Sequence, residues 1–261
     1  MRAFYRAIDE ARFASSALTR GPWSADAQHG GPPSALLGTG MAALAPEGFR
    51  ACRLTFELLR PIGIVPLIVA AAVVRAGQQV TWIEGALRAV TARGEVEVMR
   101  ARGVWVRTQE GRAPALVGAA VPGPEHGEAF TADAWKLPWQ EGYHTAMELS
   151  FVAPTREHSR IAWMRPRVGL VEGAPWTALG RVLVAVDSIG GVCARLSWVD
   201  WSFVNADTTC HLLREPDGEW VALEGTQWVE PDGVGLAEAR LLDERGPIGH
   251  GLQSQVVAPR R

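Results

Sequence analysis

Four successive runs, residues 51–60, 67–75, 80–91 and 95–107, are rich in strand-forming apolar residues, and the first and last of them alternate apolar and polar positions with a period of two. Leu54, Phe56 and Leu58 alternate with polar neighbours, and Val96, Val98, Val104 and Val106 keep the same spacing. Successive side chains of a strand point to opposite faces, so the pattern predicts half-buried strands. The turn pairs Ala76-Gly77 and Arg93-Gly94 separate the last three runs, as antiparallel hairpins require. Shorter strands are expected at 3–8 and 11–18, followed by the turn-rich loop GPWSADAQHGG. From 33 to 44 the pattern changes. No charge interrupts the stretch, prolines sit where a first helical turn tolerates them, and Pro46 and Gly48 end it, which predicts a helix buried on every side.

Between 109 and 143 the periodicity gives way to Ala, Gly, Pro and scattered charges, the signature of a linker. Trp135, Leu137 and Trp139 are expected to pin it to a surface. Beyond it the order of elements repeats: strands at 147–152 and 161–171, a helix-like run WTALGRVLVAVDSIGGVC at 176–193, then strands at 208–214, 220–230, 235–242 and 250–257. The two halves are similar at an offset of 154 residues. Leu58, Leu59 and Arg60 map onto Leu212, Leu213 and Arg214, Val80 onto Val234, Glu84 onto Glu238 and Leu87 onto Leu241. The matches fall in corresponding elements, so the reading is a duplicated α+β unit, with residues 1–110 as the first copy, 111–143 as linker and 144–261 as the second copy.

Within the second helical run, Asp187 is the only charge between Arg181 and Arg195. Leu179 and Leu183 precede it at intervals of four, so it falls on the apolar stripe of the helix. Burying an unpaired carboxylate costs on the order of several kcal/mol, so such a residue is either hydrogen-bonded or does chemistry. Gly190 and Gly191 leave open a purely structural acid near a helix end.

A formal charge of -2 gives no general attraction to nucleic acid or to an anionic membrane, and neither partner is expected. Cys52, Cys193 and Cys210 are scattered without metal-ligand spacing, which points to free thiols in a reducing compartment and to no metal. The segment MRAFYRAIDEARF has no apolar core of signal-peptide length, and a cytoplasmic location is expected. No cofactor is expected, and the composition leaves room for a homo-oligomer.

A buried helix wrapped by a curved antiparallel sheet is the hot-dog arrangement, and the chain resembles the acyl-CoA thioesterase II family. Gly30-Gly31 before the first helix, Phe56-Glu57-Leu58-Leu59-Arg60-Pro61 and Val74-Arg75-Ala76-Gly77-Gln78 are similar to that family's GG, FLRPG and LRDGxS elements in order and spacing. Asp187-Ser188 resembles its helix aspartate, and Gln253 in HGLQSQVV its closing-strand glutamine. The resemblance implies a double hot-dog that hydrolyses acyl-CoA. In the register where the family has its catalytic threonine, this chain has Asn205, with Thr208 and Thr209 close by. Pro32-Pro33-Ser34 also departs from the family's glutamine and valines.

The resemblance implies Asp187 as general base, with Gln253 and Asn205, or Thr208, orienting the water. The chemistry makes the helix-start amides of Gly30 and Gly31 candidates for the oxyanion site, and Arg60, Arg75 and Arg214 candidates for the CoA phosphates, against solvated surface arginines. His29 is a candidate for the substrate cleft, against a solvated loop histidine. A hydratase or dehydratase acting on enoyl thioesters, or a non-catalytic acyl-binding protein, would use the same fold. A histidine at short spacing from the acid would favour the hydratase, and none lies within fifteen residues of Asp187. Trp82, Trp105, Trp163, Trp198 and Trp201 are candidates to shorten an acyl tunnel, with about C6 to C12 chains expected to fit best.

Overall fold

The computed structural model describes residues 2–116 and 118–260. Met1, Val117 and Arg261, at the margins of the expected units and in the linker, lie outside the described residues, as does the side chain of Trp135. The first half runs through β1 (Ala3–Ala7), β2 (Arg12–Ser15), α1 (Gly31–Ala42), β3 (Phe49–Leu58), β4 (Leu67–Arg75), β5 (Val80–Thr91) and β6 (Gly94–Arg107). A connection follows that holds β7 (Glu128–Ala129) and α2 (Tyr143–Ala146). The second half has β8 (Met147–Val152), β9 (Arg160–Pro166), β10 (Gly169–Val171), α3 (Ala178–Val186), α4 (Ile189–Val192), β11 (Trp201–Asn205), β12 (Asp207–Leu212), β13 (Val221–Val229), β14 (Val234–Asp243) and β15 (Gly246–Pro259). Two buried helical segments wrapped by one curved sheet make this a double hot-dog, an α+β fold. No helix of the described residues is long and apolar enough to cross a membrane.

The strands form one sheet in the order β10-β1-β2-β4-β5-β6-β3-β12-β15-β14-β13-β9-β8-β7, with β11 also paired to β15. The halves join where β3 and β12 run antiparallel, and there Thr55 faces Thr209. Their hydroxyls are 3.1 Å apart. These two threonines are 154 residues apart, the offset of the internal similarity, so equivalent residues of the two copies meet at the joint. The same offset carries the bounds of β4 onto those of β13.

Helix α1 has no exposed residue, as its uncharged sequence predicts. It packs on β4 and β5 and crosses α3 at glycines: a Cβ on Gly31 would collide with the Val184 carbonyl oxygen, and one on Gly38 with Leu183. Three expectations differ. The 161–171 strand splits, because β10 leaves β9 and pairs in parallel with β1. The 109–143 segment carries short ordered pieces, and β7 joins the sheet edge beside β8. The 176–193 helix is broken at the acid itself: Asp187 caps the end of α3 and Ser188 precedes α4.

Candidate active site

The break in the helix has an identifiable cause on β15. Backbone groups at helix ends need partners, and Gln253 supplies them: its Oε1 accepts from the Gly190 amide at 2.8 Å, and its Nε2 donates to the Asp187 carbonyl at 3.0 Å. The same Nε2 lies 3.0 Å from the Thr208 hydroxyl. Glycine at 190 lets this strand approach, since a Cβ there would strike Gln255. Gln253 is fully buried and does not reach the cavity wall. It braces the Asp187 turn.

The Asp187 carboxylate is buried and held from both halves of the molecule. Asn205, at the end of β11, brings Nδ2 to 3.1 Å from Oδ1, and Thr208 on β12 brings its hydroxyl to 3.4 Å. From the first half, His29 sets Nδ1 3.0 Å from Oδ2. Gly30 lies so close that a Cβ on it would come within 2.8 Å of both carboxylate oxygens. The residues Gly30 and His29 therefore reach the acid because α1 starts at the α1–α3 crossing.

His29 is not a solvated loop residue. Its side chain is only 10% exposed and the ring stacks on Tyr143, with centroids 3.7 Å apart and planes 7° from parallel. The Tyr143 hydroxyl donates to the Val184 carbonyl at 2.8 Å, which leaves its oxygen to accept from Ser188 at 2.9 Å. Burial pushes the Tyr143 phenol up, so it stays protonated at neutral pH. His29 Nδ1 also lies 3.0 Å from the Gly31 amide nitrogen. One nitrogen cannot accept from that amide and donate to the carboxylate together. We assign its proton toward Asp187, where the bond is charge-assisted and the alternative sets a lone pair against an anion. Burial lowers the His29 pKa, and the Asp187 charge opposes that shift only in part, so the ring is neutral near pH 7.

Asp187, Ser188, His29, Gly30 and Asn205 open on a cavity of about 920 Å³. Its apolar wall includes Trp23, Phe130, Phe151, Trp198 and Phe203, and Arg60, Lys136, Arg160 and Arg260 add positive charge. Asp187 is the only carboxylate among the described lining residues. Of the arginines expected at the CoA phosphates, Arg60 lines this cavity and Arg75 and Arg214 do not. Arg214 is instead paired with the buried carboxylate of Asp243, with Nη2 2.6 Å from Oδ1. Of the five tryptophans expected at an acyl tunnel, only Trp198 lines it; Trp105 and Trp163 are core residues. Trp23, Lys136, Arg160 and Arg260 escape the sequence reading, although Lys136 is the only lysine in the chain.

Family models described as the acyl-CoA thioesterase N-terminal and C-terminal domains match residues 19–119 and 117–257. Among solved structures, the acyl-CoA thioesterase II TesB2 of Mycobacterium marinum superposes with a TM-score of 0.68 at 12% identity, over 98% of this chain and 96% of that one. A tesB protein of Mycobacterium avium subs paratuberculosis gives 0.68 at 15% identity, over 98% and 96%. A hot-dog protein of unknown function from Alicyclobacillus acidocaldarius gives 0.70 at 15% identity, over 100% and 97%. No curated protein sequence matches the chain. The structural likenesses carry the fold, and the two domain matches, consecutive along nearly the whole sequence, carry the family: the chain belongs to the acyl-CoA thioesterases, hydrolases that act on thioesters.

Proposed function

We propose that the protein hydrolyses acyl-CoA to the free acid and CoA through a water activated by Asp187, with 1–110 and 144–261 as its two units and 111–143 as the linker between them. The observation that carries this reading is the Asp187 carboxylate, buried, oriented by Asn205, Thr208 and His29, and open to a largely apolar cavity. A carboxylate fixed in this way is a general base whose lone pair is already aimed. It takes a proton from water as the water oxygen attacks the thioester carbonyl carbon. The tetrahedral intermediate then expels sulfur, and the proton on Asp187 passes to the CoA thiolate.

Gly30 lines the cavity at the start of α1, and its amide has no acceptor among the described residues, which supports it as a donor to the developing oxyanion. Gly31 lies behind it and off the cavity wall. Arg60, Lys136, Arg160 and Arg260 supply positive charge for the CoA phosphates. The aromatic wall receives the acyl chain.

A second reading gains support from His29. The sequence separation of 158 residues hides a histidine 3.0 Å from Asp187, and an acid-base pair of this kind suits hydration of an enoyl thioester. A panel of saturated and enoyl-CoA substrates, followed for free thiol and for loss of the enoyl absorbance, separates the two. CoA release that disappears in Asp187→Asn is expected, because the amide keeps the shape and cannot take a proton. Hydration without thiol release would replace the hydrolytic reading, and an active Asp187→Asn would remove Asp187 as base.

A further inference from the structure

We propose that Gln227 and Gln255 form a one-way hydrogen-bond relay that fixes which end of the Asn205 amide faces Asp187. The inference rests on the Asp187 reading above. The relay begins at the Arg195 backbone N–H, 3.2 Å from Gln227 Oε1. Gln227 Nε2 donates to Gln255 Oε1 at 2.8 Å, and Gln255 Nε2 donates to Asn205 Oδ1 at 3.0 Å. Asn205 Nδ2 then donates to Asp187, to Oδ1 at 3.1 Å and to the carbonyl at 3.2 Å.

The direction of every bond follows from the two ends. A backbone N–H can only donate, so the oxygen of Gln227 must face Arg195 and its nitrogen must face Gln255. The same constraint passes to Gln255 and then to Asn205. At the far end an ionised carboxylate can only accept, which the Asn205 nitrogen satisfies. Packing cannot supply this choice, because an amide turned end for end has nearly the same shape. Gln227 is fully buried and Gln255 is 4% exposed, so bulk water does not compete for their amides. A single flip anywhere in the row would set two like groups against each other and, at its end, a carbonyl oxygen against the Asp187 carboxylate.

This explains a departure from the family pattern. A threonine at position 205 could rotate its hydroxyl to suit the acid. An asparagine must be held one way round, and Gln255, the cross-strand partner of Asn205, is placed to hold it. Gln227 reaches Gln255 from β13, across β14. Both glutamines act through Asn205 and are positioning residues, since neither lines the cavity.

The test is steady-state kinetics with octanoyl-CoA and thiol detection on Gln227→Met, Gln255→Met and Asn205→Ala, singly and with each glutamine variant combined with Asn205→Ala. With its amide free to turn, Asn205 loses its hydrogen bond to the charged Asp187, which predicts that each single glutamine variant lowers kcat about 10-fold. KM should stay within about twofold, because substrate contacts are untouched. Once Asn205 is alanine, either glutamine change should cost less than about twofold more, since there is no amide left to orient. Thermal melts check folding, and Gln255→Met serves if Gln227→Met is unfolded. Equal losses in both backgrounds, a change confined to KM, or no loss at all would overturn the relay. Asp187→Asn in the same assay keeps the two ideas apart: activity there sinks the base assignment, whereas an inactive Asp187→Asn with equal glutamine losses in both backgrounds sinks the relay alone.

Discussion

Burial holds the His29 imidazole below the ordinary histidine range, and the Asp187 charge pulls the other way without cancelling it. The sign of the pH effect follows. Above about pH 6.5 the ring is neutral in both folded and unfolded chains. Below that, the unfolded chain takes up a proton that the folded chain resists, so stability is lost as pH falls from 6.5 toward the folded-state pKa, at no more than about 1.4 kcal/mol per pH unit for this group. His144, also lowered by burial, titrates in the same direction. Urea unfolding between pH 8 and pH 5 should therefore show a shallower acid decline for His29→Gln than for the parent, with the His144 share remaining. Parallel curves would mean that His29 is not held neutral. This residue also marks the limit of what the sequence discloses. Asp187 stands out as a lone charge on an apolar stripe, and Asn205 is reached through the family resemblance, in the register two residues before Asp207. His29 is a cleft candidate in the sequence, but its pairing with Asp187 is hidden, as are the parts played by Tyr143 and Gln227, because these come from contacts between residues far apart in the chain. Gln255 was more accessible: it follows Gln253 by two on one strand, so the two share a face.

At the scale of elements, the crossing of α1 and α3 decides how the two halves of the site meet. The crossing depends on a missing side chain at Gly31, where a Cβ would collide with a backbone oxygen that cannot rotate away. Alanine ordinarily favours a helix over glycine by up to about 1 kcal/mol. Here the steric term opposes that gain, and overpacking of this kind costs about 1–3 kcal/mol. Gly31→Ala should melt several degrees below the parent and lose activity, because His29 and Gly30 are carried on the displaced end of α1. A melting temperature equal to or above the parent's would show that the helices do not meet this closely. The strands are the readable part: β-rich apolar runs, with turn pairs after the first two, locate 67–75, 80–91 and 147–152 at the observed bounds. The helix break was not readable, since the apolar spacing runs through Asp187 and the hydrogen bonds that end α3 come from β15. The parallel pairing of β1 with β10 was hidden for a similar reason, being a pairing across most of the chain.

At the scale of the molecule, the internal similarity does more than record a duplication. Its 154-residue offset relates the two strands that pair at the joint, so the fused chain buries one sheet edge from each copy. Each copy gives up a different part of the site: the first supplies His29 and Gly30, the second Asp187, Asn205 and Thr208. A fragment of residues 1–110 would expose the β3 edge that β12 covers, the face of α1 that α3 covers, and the edge of β1 that β10 covers. An open edge beside uncovered apolar surface invites pairing with other chains. We therefore expect the fragment to unfold without cooperativity or to aggregate, read by circular dichroism melts and sedimentation, and co-expression with residues 111–261 to restore a soluble complex. A monomeric fragment with a cooperative melt would show instead that the first copy has a core sufficient to itself, and that the β3–β12 joint brings the site together without holding up either half.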